Sequence, residues 1–352
     1  MNRRPTIEGA SGRAACIDAF LAAEGFAGAT HAPLAGDASN RRYRRVNWRG
    51  KTWVLMDAPP ATNERMDTFV EVTRWLRRQG LSAPEVVAAQ LDGGLLLLED
   101  LGDALFARAI PQGRATEEGL YAAAVDLLAD LASVPDAPEG IGPYDGAVLY
   151  REARLVTDWY APGAGAPLGP VALAEFDAAL DEAMAPLAGA RAVTVLRDYH
   201  AENLLWLPGR AGHARVGLLD YQDALLGHRA YDLVSLLEDA RRDTPPALQQ
   251  AMLQRYLKRR GIAGEDAAAF RTAYDALGAQ RNLKIVGIFA RLALRDGKPR
   301  YLTMIPRVWA HLQRDLTSPD LAPLAGAVAR HLPAPTSKVL ARMAERSGAG
   351  AA

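Results

Sequence analysis

A single cysteine, Cys16, stands among 352 residues, which leaves no partner for a disulfide and no thiolate cluster for a zinc site. A charge excess is missing too. Lys plus Arg and Asp plus Glu each number 41, so the formal net charge is +0, without the basic surplus of a nucleic-acid binder. No apolar run approaches the ~20 residues that would span a bilayer. The most apolar short stretch, residues 95–98, ends at Glu99. The first residues, Met-Asn-Arg-Arg-Pro, have no apolar segment behind them, so no signal peptide is expected and the cytoplasm is the default address. What is present, 49% hydrophobic and 23% charged residues, suits a soluble chain with two domains or two lobes.

Along the chain, residues 17–26 read as a short amphipathic helix. Residues 41–48 and 52–56 read as strands joined by a turn at Arg49-Gly50-Lys51 and closed by Pro59-Pro60. Apolar residues at 66, 69, 72, 75 and 76 give a helical period, and residues 86–87 and 95–98 flank Asp92-Gly93-Gly94 as a further hairpin. These segments predict a small α/β unit over 1–101. From 102 to 352 the pattern is mainly helical, with spacing near 3.6 over 120–131, 173–185, 231–242, 247–260 and 267–294. One island interrupts it: strand-like 193–196, 204–207 and 216–219, with Pro208-Gly209 turning between the last two. The fold class expected is α+β.

Polar groups concentrate in that island, as Arg197-Asp198-Tyr199-His200-Ala201-Glu202-Asn203 and Asp220-Tyr221-Gln222-Asp223, each following an apolar strand. Phosphoryl transfer asks for this set. A carboxylate must orient the attacking hydroxyl and take its proton, and oxygen ligands must hold Mg2+ against the nucleotide phosphates. Asp198 fits the base, and Asn203, five positions on, fits a metal ligand. The returning hairpin between them is expected to bring Asp220 to the same metal. Taken singly, each of these residues is a common turn former, and Asp220 alone could cap a following helix. Their joint spacing favours the functional reading.

Asp198-x-His200-x-x-Asn203, then Leu218-Leu219-Asp220-Tyr221-Gln222-Asp223 and Gly227-His228-x-x-Tyr231-Asp232-Leu233, resembles the aminoglycoside phosphotransferase family of small-molecule kinases. The resemblance covers roughly residues 10 to 320. It implies a bilobal protein-kinase-like fold, with a small α/β N-lobe (1–101) and a larger, mainly helical C-lobe (102–352). The family usually writes His-Gly before the aspartate; here Leu196-Arg197 stands instead, as in a branch similar to cytosolic sugar kinases acting on the anomeric hydroxyl of N-acetylmuramate and N-acetylglucosamine in peptidoglycan recycling. Supporting phrases are Asp37-Ala38-Ser39-Asn40-Arg41-Arg42-Tyr43, Leu97-Leu98-Glu99-Asp100-Leu101-Gly102-Asp103 and Gln280-Arg281-Asn282-Leu283-Lys284. The resemblance implies Asp198 as base, Asn203 and Asp220 on Mg2+, ATP between the lobes with adenine at the backbone of Glu99 to Leu101, and Asp232 as an acceptor for N–H groups of the catalytic loop. An exposed helix residue is the plainer reading of Asp232.

The nucleotide end departs from the kinase pattern. There is no Gly-x-Gly-x-x-Gly, and Met56 stands where a phosphate-pairing lysine is kept. Ser39, Asn40, Arg41 and Arg44 are the candidates for the nucleotide, with Arg42 and Lys51 as further cations, and a solvated strand face as the alternative. Glu71, on the following helix, is either a remnant of the lysine's partner or a surface residue. His200, Glu202, Asp223, His228 and Arg281 are the candidates for the acceptor, with Arg281 weighed as the partner of a lactyl carboxylate. The expected partners are a sugar and a nucleotide, with no nucleic acid and no membrane, for a monomer. The rivals are a kinase for another hydroxyl acceptor (an aminoglycoside, a choline-like or a homoserine-like alcohol) and a nucleotide-binding pseudokinase regulator.

Overall fold

The computed structural model describes residues 10–34, 41–62 and 65–347. The chain divides into two compact units. The first holds residues 1–104, 138–140 and 205–223, and the second holds 105–137, 141–204 and 224–352. The strand at residues 192–195 and most of the hairpin that follows it therefore fall in different units.

The first unit is built on a five-stranded antiparallel sheet. Its strands are β1 (Thr30–Pro33), β2 (Arg42–Trp48), β3 (Lys51–Asp57), β4 (Val86–Gln90) and β5 (Leu95–Glu99), in the order β1-β2-β3-β5-β4. β2 turns into β3 through Arg49 and Gly50, with φ of 49° and 74°, the paired positive angles that let a two-residue turn follow strand twist. β5 lies between β3 and β4, and its leucines are buried on both faces of the sheet, so the strand needs no polar alternation. Helix α1 (Ala10–Ala23) starts earlier than its apolar spacing suggests and packs Ile17, Phe20 and Leu21 with Val46, Leu55, Leu95 and Leu97. Its Arg13, half-buried, adds a tie to the buried Asp57, with Nε and Nη2 both donating to Oδ1 at 2.8 and 2.6 Å. Helix α2 (Met66–Arg78) buries Val72, Trp75 and Leu76. The expected hairpin forms as β7 (Leu204–Trp206) and β8 (Val216–Leu218) and joins this unit. Leu218 N–H donates to Ser82 O at 2.9 Å, and Ser82 Oγ donates to Ala214 O at 2.6 Å.

The second unit is helical. It contains α3 (Glu117–Leu131), α4 (Gly146–Ala153), α5 (Pro170–Met184), α6 (Tyr231–Leu237), α7 (Pro246–Arg260), α8 (Gly264–Leu294), α9 (Ile305–Asp315), α10 (Ala322–His331) and α11 (Ser337–Glu345). The 31-residue α8 is buried along most of its length and forms the middle of the core with α9 and the 156–160 turn. That turn approaches closely at Gly287, where a Cβ would lie 2.2 Å from the Leu155 carbonyl carbon.

One expectation is corrected here, and several elements appear that were not anticipated. The helix predicted over 231–242 ends at Leu237. The strand β6 (Ala192–Val195) pairs antiparallel with β9 (Leu225–His228), a strand that apolar spacing did not reveal. The helices after residue 304 were not anticipated, because α9 and α10 are short and each carries Pro near its start.

Candidate active site

β6 delivers the chain to the loop 196–203, whose geometry is fixed within the second unit. Asp232, at the start of α6, is buried, not exposed; its Oδ2 and Oδ1 accept the N–H groups of Leu196 and Arg197 at 2.6 and 2.8 Å. Burial lifts its pKa to about 7, against the pull of those two donors, which favour the ionised form. Arg197 O accepts from Ser235 Oγ at 3.1 Å, and Arg281 Nη2 donates to that hydroxyl at 2.9 Å. Tyr199 is buried and donates its hydroxyl to Ala124 O at 3.0 Å, and Ala201 O accepts from Ala107 N at 3.0 Å. Asp198, between these anchors, is half-buried.

Asn203 turns its Nδ2 inward, to Asp198 O at 2.9 Å and His200 Nε2 at 3.4 Å. Arg241 Nη1 lies 3.2 Å from the same His200 nitrogen. Both neighbours are donors, so Nε2 accepts and the ring proton sits on Nδ1. Burial, aided by Arg241, holds His200 down to about 3, so the imidazole is neutral at physiological pH. It is a brace for Asn203. With its NH2 committed, Asn203 keeps Oδ1 as an acceptor, which is the atom a hard cation takes.

Asp220 follows β8 in the first unit, with φ of 58°, an angle that side-chain-bearing residues seldom adopt. Its neighbour Tyr221 pins it there. The ring stacks on Phe69 at 5.4 Å, and its hydroxyl lies 2.7 Å from Thr73 Oγ1, both on α2. Asp220 Oδ1 accepts from Gln222 Nε2 at 3.0 Å, and Arg41 Nη1 stands 3.7 Å away. The carboxylate itself is about half exposed. A carboxylate this accessible is, taken by itself, of the oxygen type that a hard cation prefers. Among the described residues no three His, Cys, Asp or Glu side chains cluster as a closed metal cage.

The other expected residues are placed as follows. Ser39 and Asn40 lie outside the described residues. Arg44 Nη1 is 3.2 Å from His31 Nδ1, and Met56 is wholly buried in β3. Glu99 pairs with Arg77 and Arg210, and Leu101 is half-buried. Glu71 pairs with Arg74 on its own helix at 2.7 Å. Glu202 is exposed and pairs with Arg241 at 3.0 Å; Asp223 is exposed and accepts from Gln222 Nε2 at 3.3 Å. His228 is half-buried at the end of β9, and burial pushes it down to about 4. Arg281 is buried, committed to Ser235 and to Glu238 O. Thus Asp198, His200, Asn203, Asp232 and Arg281 form one constellation, and Arg41, Asp220 and Asp223 another. Sequence reasoning missed Ser235, Asp239 and Arg241. Asp239, which accepts from Ala201 N and Arg241 N, was within reach as a polar residue ending an apolar helix.

The model of the phosphotransferase enzyme family matches residues 30–271, a span that includes every residue of both constellations except Arg281. The chain belongs to this family. Curated relatives of this phosphotransferase include the N-acetylmuramate/N-acetylglucosamine kinase of Caulobacter vibrioides, 40% identical over 93% of this chain and 99% of the relative. The kinase of the same name from Pseudomonas aeruginosa is 38% identical over 88% and 91%. Solved structures with the same kinase-like fold include the choline kinase LicA of Streptococcus pneumoniae (TM-score 0.56, 12% identity, 88% of this chain and 98% of that one). Another is the GDP complex of aminoglycoside 2'-phosphotransferase-IIIa (TM-score 0.59, 13% identity, 86% and 98%). The phosphotransferase has the α+β, protein-kinase-like fold that its motifs imply. Among its described residues no helix is long and apolar enough to cross a membrane.

Proposed function

We propose that this phosphotransferase moves the γ-phosphoryl group of ATP, with Mg2+, to the C1 hydroxyl of N-acetylmuramate, N-acetylglucosamine or both, giving the sugar α-1-phosphate. Such a product suits recycling of cell-wall sugars in the cytoplasm. The observation that carries the sugar assignment is the 40% identity to a kinase of that name across almost the whole of both chains.

Asp198 is the base in this reading. The fixed backbone on either side of it aims its carboxylate, and an anomeric hydroxyl is acidic enough that orientation is most of its task. Asn203 Oδ1 and Asp220 would hold Mg2+, which supplies neutralisation of phosphate charge when bound. Arg41, already beside Asp220, is the cation we assign to the phosphates in place of the strand lysine, with Arg44, Ser39 and Asn40 near it in sequence. The backbone of Glu99 to Leu101 would take the adenine. For the sugar, Glu202, Asp223 and His228 keep accessible polar groups. His200 and Arg281 act from behind, through Asn203 and Ser235.

The test is to incubate the protein with ATP, Mg2+ and each sugar and to follow the 1-phosphate by phosphorus NMR. Turnover of either sugar, reduced by at least about a thousandfold in Asp198→Asn, is expected. Turnover of a choline-like or aminoglycoside acceptor instead would sink the sugar assignment, and tight ATP binding with no turnover of any acceptor would sink the enzyme reading.

A further inference from the structure

Among the described residues, three that are not glycine have left-handed backbone angles: Arg49 in its hairpin turn, Asp220, and Arg197 at φ 69°. Arg197 directly precedes the candidate base. The angle is natural for glycine and disfavoured for a residue with a Cβ, so something must hold it. The bonds from Asp232 and Ser235 act on the backbone and would serve any residue at 197. The arginine side chain is held by a separate cluster. Its Nη2 contacts Glu152 Oε1, and its guanidinium carbon lies 5.2 Å above the Tyr144 ring. The other Glu152 oxygen takes Lys284 Nζ at 2.9 Å and also the Tyr144 hydroxyl. Tyr144 and Tyr231 share a hydroxyl bond of 2.9 Å and meet edge to face at 4.8 Å. Glu152, Arg197 and Lys284 side chains are 14, 19 and 13% exposed. One carboxylate thus serves two largely buried cations, and the cluster ends on Tyr231, the residue before Asp232.

We propose that Glu152 is a positioning residue for Asp198. By anchoring the Arg197 side chain and, through Tyr144, the start of α6, it keeps residue 197 in its left-handed turn and so fixes the direction in which the next carboxylate points. The inference rests on the reading of Asp198 as the base of a sugar kinase. Arg197 is thereby a substitute for glycine, with the backbone angle held from outside by charge and stacking.

Replacing Glu152 by Gln leaves two cations without their shared anion, next to the loop. Glu152→Gln is expected to lower kcat about 10- to 100-fold with KM for ATP and sugar within about twofold. Arg197→Gly removes one cation and accepts the backbone angle unaided, so adding it to Glu152→Gln should recover about half of the logarithmic loss. Should Glu152→Gln fail to fold, Arg197→Lys, which keeps the charge but has no fork and no flat face for Tyr144, should show the same split at about 5- to 20-fold. Amide exchange over 196–203, read without substrate, should quicken in Glu152→Gln and slow again in the double variant. A cluster that only stabilises the fold would lower the melting temperature, leave kcat within about twofold and make the two substitutions additive, which overturns the proposal. If the wild-type protein phosphorylates neither sugar, the functional reading fails, and the exchange measurement alone decides the positioning role.

Discussion

Asp232 carries opposing demands. Its carboxylate must be ionised to accept two backbone N–H groups with both oxygens, yet burial raises its pKa to about 7. A buried acid with a raised folded-state pKa gives stability that is complete below its unfolded value near 4 and is lost as pH climbs through 7. Activity runs the other way, since the ionised form orders the loop. Turnover should therefore rise with pH along a limb of apparent pKa near 7 while thermal stability declines over the same interval. Asp232→Asn should flatten both curves, and a kcat–pH profile beside melting curves from pH 4 to 8 checks this. His200, held near 3, should contribute no limb at all between pH 5 and 8. Asp198, Asn203 and Asp220 stood out as candidates because each lies in a short polar run that follows an apolar strand. Glu152 and Lys284 did not. Each is an ordinary charged residue in a helical stretch, and only the tertiary fold brings them to Arg197.

The long helix α8 shows where pattern and packing part company. Glycine inside a helix normally weakens it by about 1 kcal/mol relative to alanine, so Gly287→Ala ought to stabilise. Here the added Cβ would overlap the backbone of residues 155 and 156, at 2.2 to 2.5 Å, and backbone yields less readily than a side chain. Overpacking of this kind loses about 1–3 kcal/mol, so a net loss of up to about 2 kcal/mol is expected, read as a lower urea midpoint. The spacing of the sequence located α2, α3, α5, α7 and α8 and the strands β2, β3, β5, β7 and β8, since each buries one clear face or a continuous apolar run. It passed over β1 and β9, four residues each, because such short strands have no period to detect and β9 earns its place only through pairing with a strand some 30 residues earlier.

For the molecule as a whole, balanced charge says nothing about where ligands bind, so stabilisation by ligand is the more telling observable. A non-hydrolysable ATP analogue with Mg2+ at a hundred times its Kd should add about 2.7 kcal/mol and raise the melting temperature by several degrees. Asp220→Ala should abolish the part that depends on Mg2+, as followed by differential scanning fluorimetry; a full shift in that variant would remove Asp220 from the metal.

The chain enters the first unit again at residue 205 and leaves it after 223. Tyr221 rests there on Phe69 and Thr73, and β8 on Ser82, all supplied by the first hundred residues. A fragment beginning after residue 104 would keep the whole of the second unit yet leave this hairpin's apolar underside bare to water. Attempts to express the larger half for screening or labelling should meet insolubility, and co-expression with residues 1–104 as a separate polypeptide is the remedy the architecture suggests.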